Sequence, residues 1–488
     1  MKRVIVTIAT VALCHAALAQ QPTSTLTFDD ALGIALENNP SIEASHYEEQ
    51  AARRERQAAV GLRMPKVNVF GAYTYLGKDL GIDFNPARDA VGGMASDVIS
   101  GGVAAGLIPP ELASALQGKL APIFGADWKY TIQDRSLGFI GGEVTVPIFL
   151  GGKINAANRA ARLNEKSAAL SGESTRNALV SELVERYFGL ALAMQVVDVR
   201  EQVRRGVESH LRDAEALEEQ GMIARSEKLY VEFKLAEAER ELANARLQVA
   251  TLQDALANTL GENGSTERTP ISVMFVLDDI EGVNYYKEMA QVGNPLLSQV
   301  GIKRDLAVEG VKAERSDFFP QVVAMGGGTF YNYQVTNILP RWAVGVGINF
   351  KIFDGLNREY KYSAAKQTVR RVESLQAKAG QDISVLVEKL YNQLVNYANQ
   401  LISIESSIAF AEEYLRMKNE AFLEGMTSSS ELIDAELNLA KVKTERMQAA
   451  YGYDVALAKL LEAAGMSDEF VHYARRADAR PVTYDMNK

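Results

Sequence analysis

The chain is nearly free of cysteine, with a single thiol, Cys14, in 488 residues. Cys14 falls in an N-terminal segment where Lys2 and Arg3 precede an apolar run, Val4 to Leu13, and Ala17-Leu18-Ala19 precedes Gln20. This pattern predicts a secretory signal peptide over 1–19, cut after Ala19. The run is too short for a permanent helical anchor, which needs about 20 apolar residues. Lipid attachment at Cys14 is disfavoured because Leu13 stands where a small residue is required. A chain starting at Gln20 has no thiol, which excludes disulfides, thiolate metal sites and cysteine nucleophiles.

Other absences narrow the field further. No later stretch reaches 18 consecutive apolar residues, so any membrane crossing must be made by strands. Beyond the leader, histidine is limited to His46, His210 and His472, far apart and in no metal-binding spacing, so each reads as a surface residue. No glycine-rich phosphate loop follows a strand, and no catalytic, cofactor or metal site is expected. Basic charge is short: the formal net charge is −10, or −12 without Lys2 and Arg3, which argues against a nucleic-acid partner. Energy for any transport would have to come from another protein.

What is present is a duplication. Asn39-Pro40 and Pro65 recur as Asn294-Pro295 and Pro320, at an offset of 255. Val146 to Gly151 recurs as Phe350 to Gly355, and Gly221-Met222 with Ser226-Glu227 recurs as Gly425-Met426 with Ser430-Glu431, at an offset of 204. The difference is a 51-residue insert in the first half, between Tyr75 and Glu143.

Each half reads helix, strand, strand, helix, helix. The first repeat, 20–260, holds a helix over 28–64, a β-hairpin over 66–150 with a loop at 77–135, and helices over 152–220 and 226–260. The second, 284–465, holds a helix over 285–319, a hairpin over 321–354, and helices over 356–424 and 430–464. A linker, 261–283, and a tail, 466–488, should form a belt round the middle of the helical part. Stretches 152–220 and 356–424 lack proline, and each would run about 100 Å as a helix. Val387, Leu390, Leu394, Tyr397, Leu401, Ile404, Ile408, Ala411 and Leu415 keep steps of 3 and 4, as do Leu183, Tyr187, Leu190, Met194 and Val197, which predicts coiled-coil seams.

The hairpins alternate with period two. Val67, Val69, Gly71, Tyr73 and Tyr75 share one face, Val144, Val146 and Ile148 continue it, and Trp342, Val344, Val346 and Ile348 repeat it, away from Glu143 and Thr145. Apolar outside and polar or small inside is the pattern of a lipid-facing barrel, with Tyr73, Tyr75, Tyr130, Phe330, Tyr331, Tyr333 and Trp342 where an aromatic girdle belongs. Four strands cannot close alone, and the smallest outer-membrane barrels have about eight. Two chains would give a filled barrel and three a conducting one, a choice that strand counting leaves open.

These residues resemble the TolC-like outer-membrane efflux protein family over the mature chain up to about Gly465: the Asn-Pro turn, the Pro-opened strand, the strand ending Phe-x-Gly, and the tip motif at Gly221 to Glu227 and Gly425 to Ala435. The resemblance implies an α+β membrane protein. In it, four β-strands per chain build a homotrimeric twelve-stranded outer-membrane barrel, continued by a coiled-coil α-helical barrel in the periplasm. It implies an exit duct of a tripartite efflux or type I secretion system, partnered by outer-membrane lipid, a periplasmic adaptor, and an inner-membrane pump or ATPase. Drug, metal and protein cargoes share such a duct. The competing reading, a periplasmic coiled-coil adaptor, would carry one helical hairpin rather than two hairpins and two amphipathic β-hairpins.

The tips should dock the adaptor through Gly221, Met222, Ile223, Gly425, Met426 and Thr427. Glycine would end the long helices, and Ser226 and Ser430 would cap the next ones. Glu431 and Asp434, three apart on one helix, share a face. The resemblance directs that face to the lumen, so three chains would stack two carboxylate rings at a periplasmic gate. Phe422 and Thr427 stand where the family often has tyrosine and arginine, and Arg225 with Glu227 is a substitute pair. The insert should be an extracellular loop that caps or narrows the mouth.

Overall fold

A computed structural model describes residues 24–262, 267–335 and 340–483. The expected signal peptide, with Cys14, lies outside the described residues. Along the chain come β1 (Ser24–Leu26), α1 (Phe28–Asn38), α2 (Pro40–Gly61), β2 (Lys66–Tyr75), β3 (Leu80–Asp83), α3 (Asn85–Ala104), α4 (Pro110–Phe124), β4 (Lys129–Gln133), β5 (Ser136–Leu150), α5 (Lys153–Glu219), α6 (Arg225–Leu260), β6 (Arg268–Pro270) and β7 (Met274–Leu277). There follow α7 (Val283–Gly293), α8 (Pro295–Arg315), a 3-10 turn (Ser316–Phe318), β8 (Gln321–Tyr333), β9 (Trp342–Asn349), α9 (Asn357–Leu423), α10 (Ser429–Ala464), a second 3-10 turn (Ser467–Glu469), α11 (Phe470–Ala474) and β10 (Ala479–Val482). Among the described residues no helix is long and apolar enough to cross a membrane. The chain divides into a helical unit, comprising residues up to Gln57, Arg159–Gly310 and those from Ala364 on, and a β unit, comprising Ala58–Asn158 and Val311–Ser363.

In the helical unit the helices come in matched lengths. Helices α5 and α9 have 67 residues each, α6 and α10 have 36, and α1 and α7 have 11. The matching reaches the hydrogen bonds. Asn39 Nδ2 donates to the Thr259 carbonyl at 2.8 Å, and Asn294 Nδ2 to the Ala463 carbonyl at 2.9 Å. Each asparagine thereby pins the start of one helix to the last turn of another. The partner helices α6 and α10 end alike, on Gly261 and Gly465, both at φ +73°, the left-handed backbone that glycine adopts without steric cost.

The linker is held by strand pairing: its β6 pairs parallel with β1, and its β7 pairs antiparallel with β10 of the tail. Tyr187, fully buried, fastens it, donating to the Leu26 carbonyl at 2.6 Å and accepting from the amides of Ile271 and Ser272 at 3.1 and 2.9 Å. The main core lies here, with Leu183, Tyr187, Leu190, Val387, Leu394, Leu457 and Leu461 in one cluster. Asp454 of α10 is completely buried in this region, and burial raises its carboxyl pKa well above the usual range.

The β unit is built on an antiparallel sheet in the order β2-β5-β8-β9, with β3 and β4 paired apart from it. Register places Val67 opposite Val144, Val144 opposite Gly326, and Gly326 opposite Val344, so one face is aliphatic or glycine. Glycine at Gly151 is required twice over: its φ is +62°, and an added Cβ would lie 2.2 Å from the Ser316 carbonyl oxygen.

Several sequence expectations need correction. The helix expected over 28–64 is two helices, and so is that over 285–319, because a proline lacks the donor to continue a helix and holds the residue before it extended: ψ is 124° at Asn39 and 119° at Asn294. Between β2 and β5 the expected loop at 77–135 is itself ordered, as a short hairpin and two helices. Strand β9 stops at Asn349, short of the expected 354.

Candidate functional site

The two long hairpins of the helical unit turn by the same backbone route. The amide of Met222 reaches the Leu217 carbonyl at 2.8 Å, and the amide of Met426 the Ala421 carbonyl, also at 2.8 Å. Gly221 and Gly425 both sit at φ +70° with nothing near an added Cβ, so the glycines serve the backbone conformation alone. Met222 and Met426 are left exposed at the tips, and Ile223 and Thr427 are half-buried beside them. The caps fall earlier than expected. Ala224, which offers no side-chain bond, precedes α6, and Ser428 precedes α10, its Oγ accepting from the Glu431 amide at 3.4 Å. Ser226 and Ser430 therefore lie inside the first turn.

Polar contacts distinguish the tips. In the second, Glu431 accepts from Lys418 Nζ and from Thr427 Oγ1, the latter at 2.7 Å. The Lys418 ammonium and the Thr427 hydroxyl hold the Glu431 carboxyl below the usual carboxylate range. In the first, the turn is closed by Lys228 with Glu218 at 3.2 Å, not by Arg225 with Glu227. Glu431 and Asp434 are both exposed and on one side of α10, as their spacing requires. Asp434 also accepts from the Tyr230 hydroxyl at 3.4 Å, a contact between positions 204 apart, so matching points of the two hairpins touch. Burial, then the Asp434 charge, raises the Tyr230 pKa.

His210 was expected at the surface, and the structure places it elsewhere. Its side chain is 12% exposed, Nε2 lies 3.3 Å from Glu436 Oε1, and the Phe422 ring stands edge-on to it at 6.2 Å. It thus ties α5 to α9 and α10 beside an apolar cluster of Val207, Val231 and Ile433. Glu436 is 226 residues away in the chain, and no local pattern around His210 pointed to it. His46 and His472 are exposed. Among the described residues no cluster of three or more metal-ligating side chains occurs.

The β unit carries the second functional surface. Asn68 Nδ2 donates to Glu143 Oε1 at 2.9 Å on one face of the sheet. Val67, Val69, Val344, Val346 and Trp342 are exposed on the other. A carboxylate is expensive in hydrocarbon, so in a bilayer the Glu143 face is the wet one and the valine face meets lipid.

Comparison with known proteins converges on one group. The family model described as "Outer membrane efflux protein" matches residues 133–262 and 287–466. The alkaline protease secretion protein AprF of Pseudomonas aeruginosa is 23% identical over 321 residues, covering 62% of this chain and 65% of its own length. The chain thus spans just under two thirds of that curated relative. Among solved structures, the Campylobacter jejuni CmeC outer membrane channel aligns with a TM-score of 0.70 at 14% identity, over 90% of this chain and 86% of its own. The Vibrio cholerae outer membrane protein VceC aligns with a TM-score of 0.67 at 14% identity, over 90% and 96%. At such identity the likeness is one of fold.

Proposed function

The chain belongs to the outer membrane efflux protein family, and from that premise we propose that it is the passive exit duct of an envelope-spanning efflux or secretion machine. The observation that carries this reading is one chain holding both a four-stranded sheet with a valine face and two matched helical hairpins. Within the sheet, β2 and β9 each have one unpaired edge, which hydrocarbon does not tolerate. Closure needs further copies, and three copies make a twelve-stranded barrel with a lumen.

In this reading the hairpin tips meet a periplasmic adaptor through Gly221, Met222, Ile223, Gly425, Met426 and Thr427, and an inner-membrane pump or ATPase supplies the energy. Glu431 and Asp434 ring the periplasmic constriction, with Arg225 and Glu227 on the neighbouring hairpin. Lys418 offsets the Glu431 charge, so Asp434 supplies most of the cation preference. AprF is described as a protease secretion protein, which favours an exported polypeptide as cargo over a small molecule.

Reconstitution in planar bilayers tests the proposal. The purified protein should have the mass of a trimer and conduct, and Asp434→Ala should reduce cation preference more than Glu431→Ala. A monomer that does not conduct would overturn the duct, and unchanged selectivity in the double variant would move both carboxylates off the lumen. Loss of one secreted protein from the culture medium on deletion would identify polypeptide cargo.

A further inference from the structure

We propose that the helical hairpin α3–α4 carries a docking face for its own counterparts in two further copies of the chain, so that three hairpins pack together over the outer mouth of the barrel. The inference rests on the trimeric duct proposed above and goes beyond it.

The hairpin is a defined body. Its helices approach so closely that a Cβ on Gly92 of α3 would lie 3.2 Å from the Phe124 ring of α4, and Ile99 and Ala113 are buried along the seam. Its base is clamped to the chain entering β4: Arg88 donates to the Ala126 carbonyl at 2.6 Å, Asn85 Nδ2 donates to Asp127 Oδ1 at 2.7 Å, and Asn85 Oδ1 accepts from the Trp128 amide at 2.8 Å.

Each helix carries a second apolar stripe beside that seam. At about 100° per residue, Val91, Met94 and Val98 stand roughly a quarter turn from Ile99, and Leu112, Leu116 and Ile123 roughly a quarter turn in the same sense from Ala113. The helices run antiparallel, so equal turns in one sense bring both stripes to the same side of the hairpin. All six side chains are exposed. The other side carries Asp89, Ser96, Ser100 and Ser114. One continuous apolar side opposite a polar one marks an interaction surface.

Geometry and charge name the occupant. The hairpin lies between β2 and β5, and β2 is a free edge of the sheet, so in a closed barrel each hairpin stands beside a joint between copies and three stand around one mouth. Twelve strands about 4.8 Å apart and tilted by about 40° close at a radius of roughly 12 Å. Helix α3, with 20 residues, is about 30 Å long, so a hairpin that leans over the mouth meets the other two. A membrane surface is the poorer fit. Together α3 and α4 hold Arg88 and Lys119 against Asp89, Asp97 and Glu111, two positive and three negative charges, whereas helices that lie on anionic lipid are basic.

Cysteine substitution in the full-length protein in mild detergent tests this, with wild type, whose one cysteine is Cys14, as the blank. Met94→Cys, Val98→Cys and Leu116→Cys, each treated with a short bis-maleimide, should give covalent dimers on denaturing gels, severalfold above Ser100→Cys on the opposite side. The same three should react with a bulky, polymer-tagged maleimide severalfold more slowly than Ser100→Cys. All four replace exposed side chains, and the trimer mass of each variant guards against loss of folding. Equal labelling on the two sides would overturn the docking face. Slow labelling without covalent dimers would overturn the occupant and give the face to lipid or to another protein. Bilayer conductance of the same samples separates the two proposals: conducting trimers without covalent dimers refute the packed hairpins alone, whereas a monomeric wild type that never conducts refutes the duct.

Discussion

The two long hairpins, α5 with α6 and α9 with α10, share length, turn geometry and terminal glycines, yet their returning helices are buried very differently. Ile433 in α10 is 0% exposed, whereas Leu229, its counterpart 204 residues earlier in α6, is 51% exposed. Helix α10 is flanked by α6, α7 and β7, and most positions of its second half, from Met447 to Ala464, are buried. Helix α6 has fewer neighbours in the chain and buries little beyond Val231, Ala238, Leu242 and its last turn. A duplicated sequence therefore repeats a backbone without repeating an environment, and equal positions have come to carry unequal energies.

That inequality sets the largest expected effect. Truncating Ile433 to Ala removes a side chain from the centre of the tip cluster and should cost about 2–4 kcal/mol, whereas Leu229→Ala should cost roughly 0.5 kcal/mol or less. Urea unfolding of the detergent-solubilised protein would read both; matching losses would mean that Leu229 is buried by another copy.

Asp454 sharpens the contrast, since its counterpart, Ala250, is an exposed alanine. Burial raises the folded-state pKa of Asp454 above its unfolded value, so its contribution is most favourable below the unfolded pKa, near 3.8. Stability is then lost as pH rises from there through the folded pKa. Asp454→Asn should accordingly stabilise the protein at pH 7 by roughly 2 kcal/mol, and the gain should fade by about pH 4. A thermal melt series across pH checks both the sign and the fading.

The smallest effect is a predicted equality. Gly221→Ala and Gly425→Ala each place a side chain on a left-handed residue in open space, so each should cost about 1 kcal/mol, and the same amount. A clear difference between them in the same melts would show that the tips are not equivalent even in backbone.

Much of this architecture was legible in the residues. The paired offsets located both turns, the absence of proline marked out α5 and α9, and period two assigned the valine face. What the residues did not show was the order inside the insert, since its prolines and paired glycines look like turn residues. Pro86 and Pro110 in fact occupy the first turns of α3 and α4, where a proline needs no donor. The second cap was misplaced by two residues because 428–430 is a run of three serines, any of which could have served, and the first because its cap, Ala224, carries no capping side chain to read.

By itself the sequence determined everything that depends on local spacing: the matched helices, the left-handed glycines, the alternating strands and the shared face of Glu431 and Asp434. Only the tertiary structure decided which of two equivalent side chains is buried, that His210 meets Glu436, that Tyr230 meets Asp434, and that Asp454 is sealed in the core. The reason is physical: periodicity and propensity act within a few residues, whereas burial and ion pairing depend on neighbours brought in from hundreds of residues away, which no local pattern records.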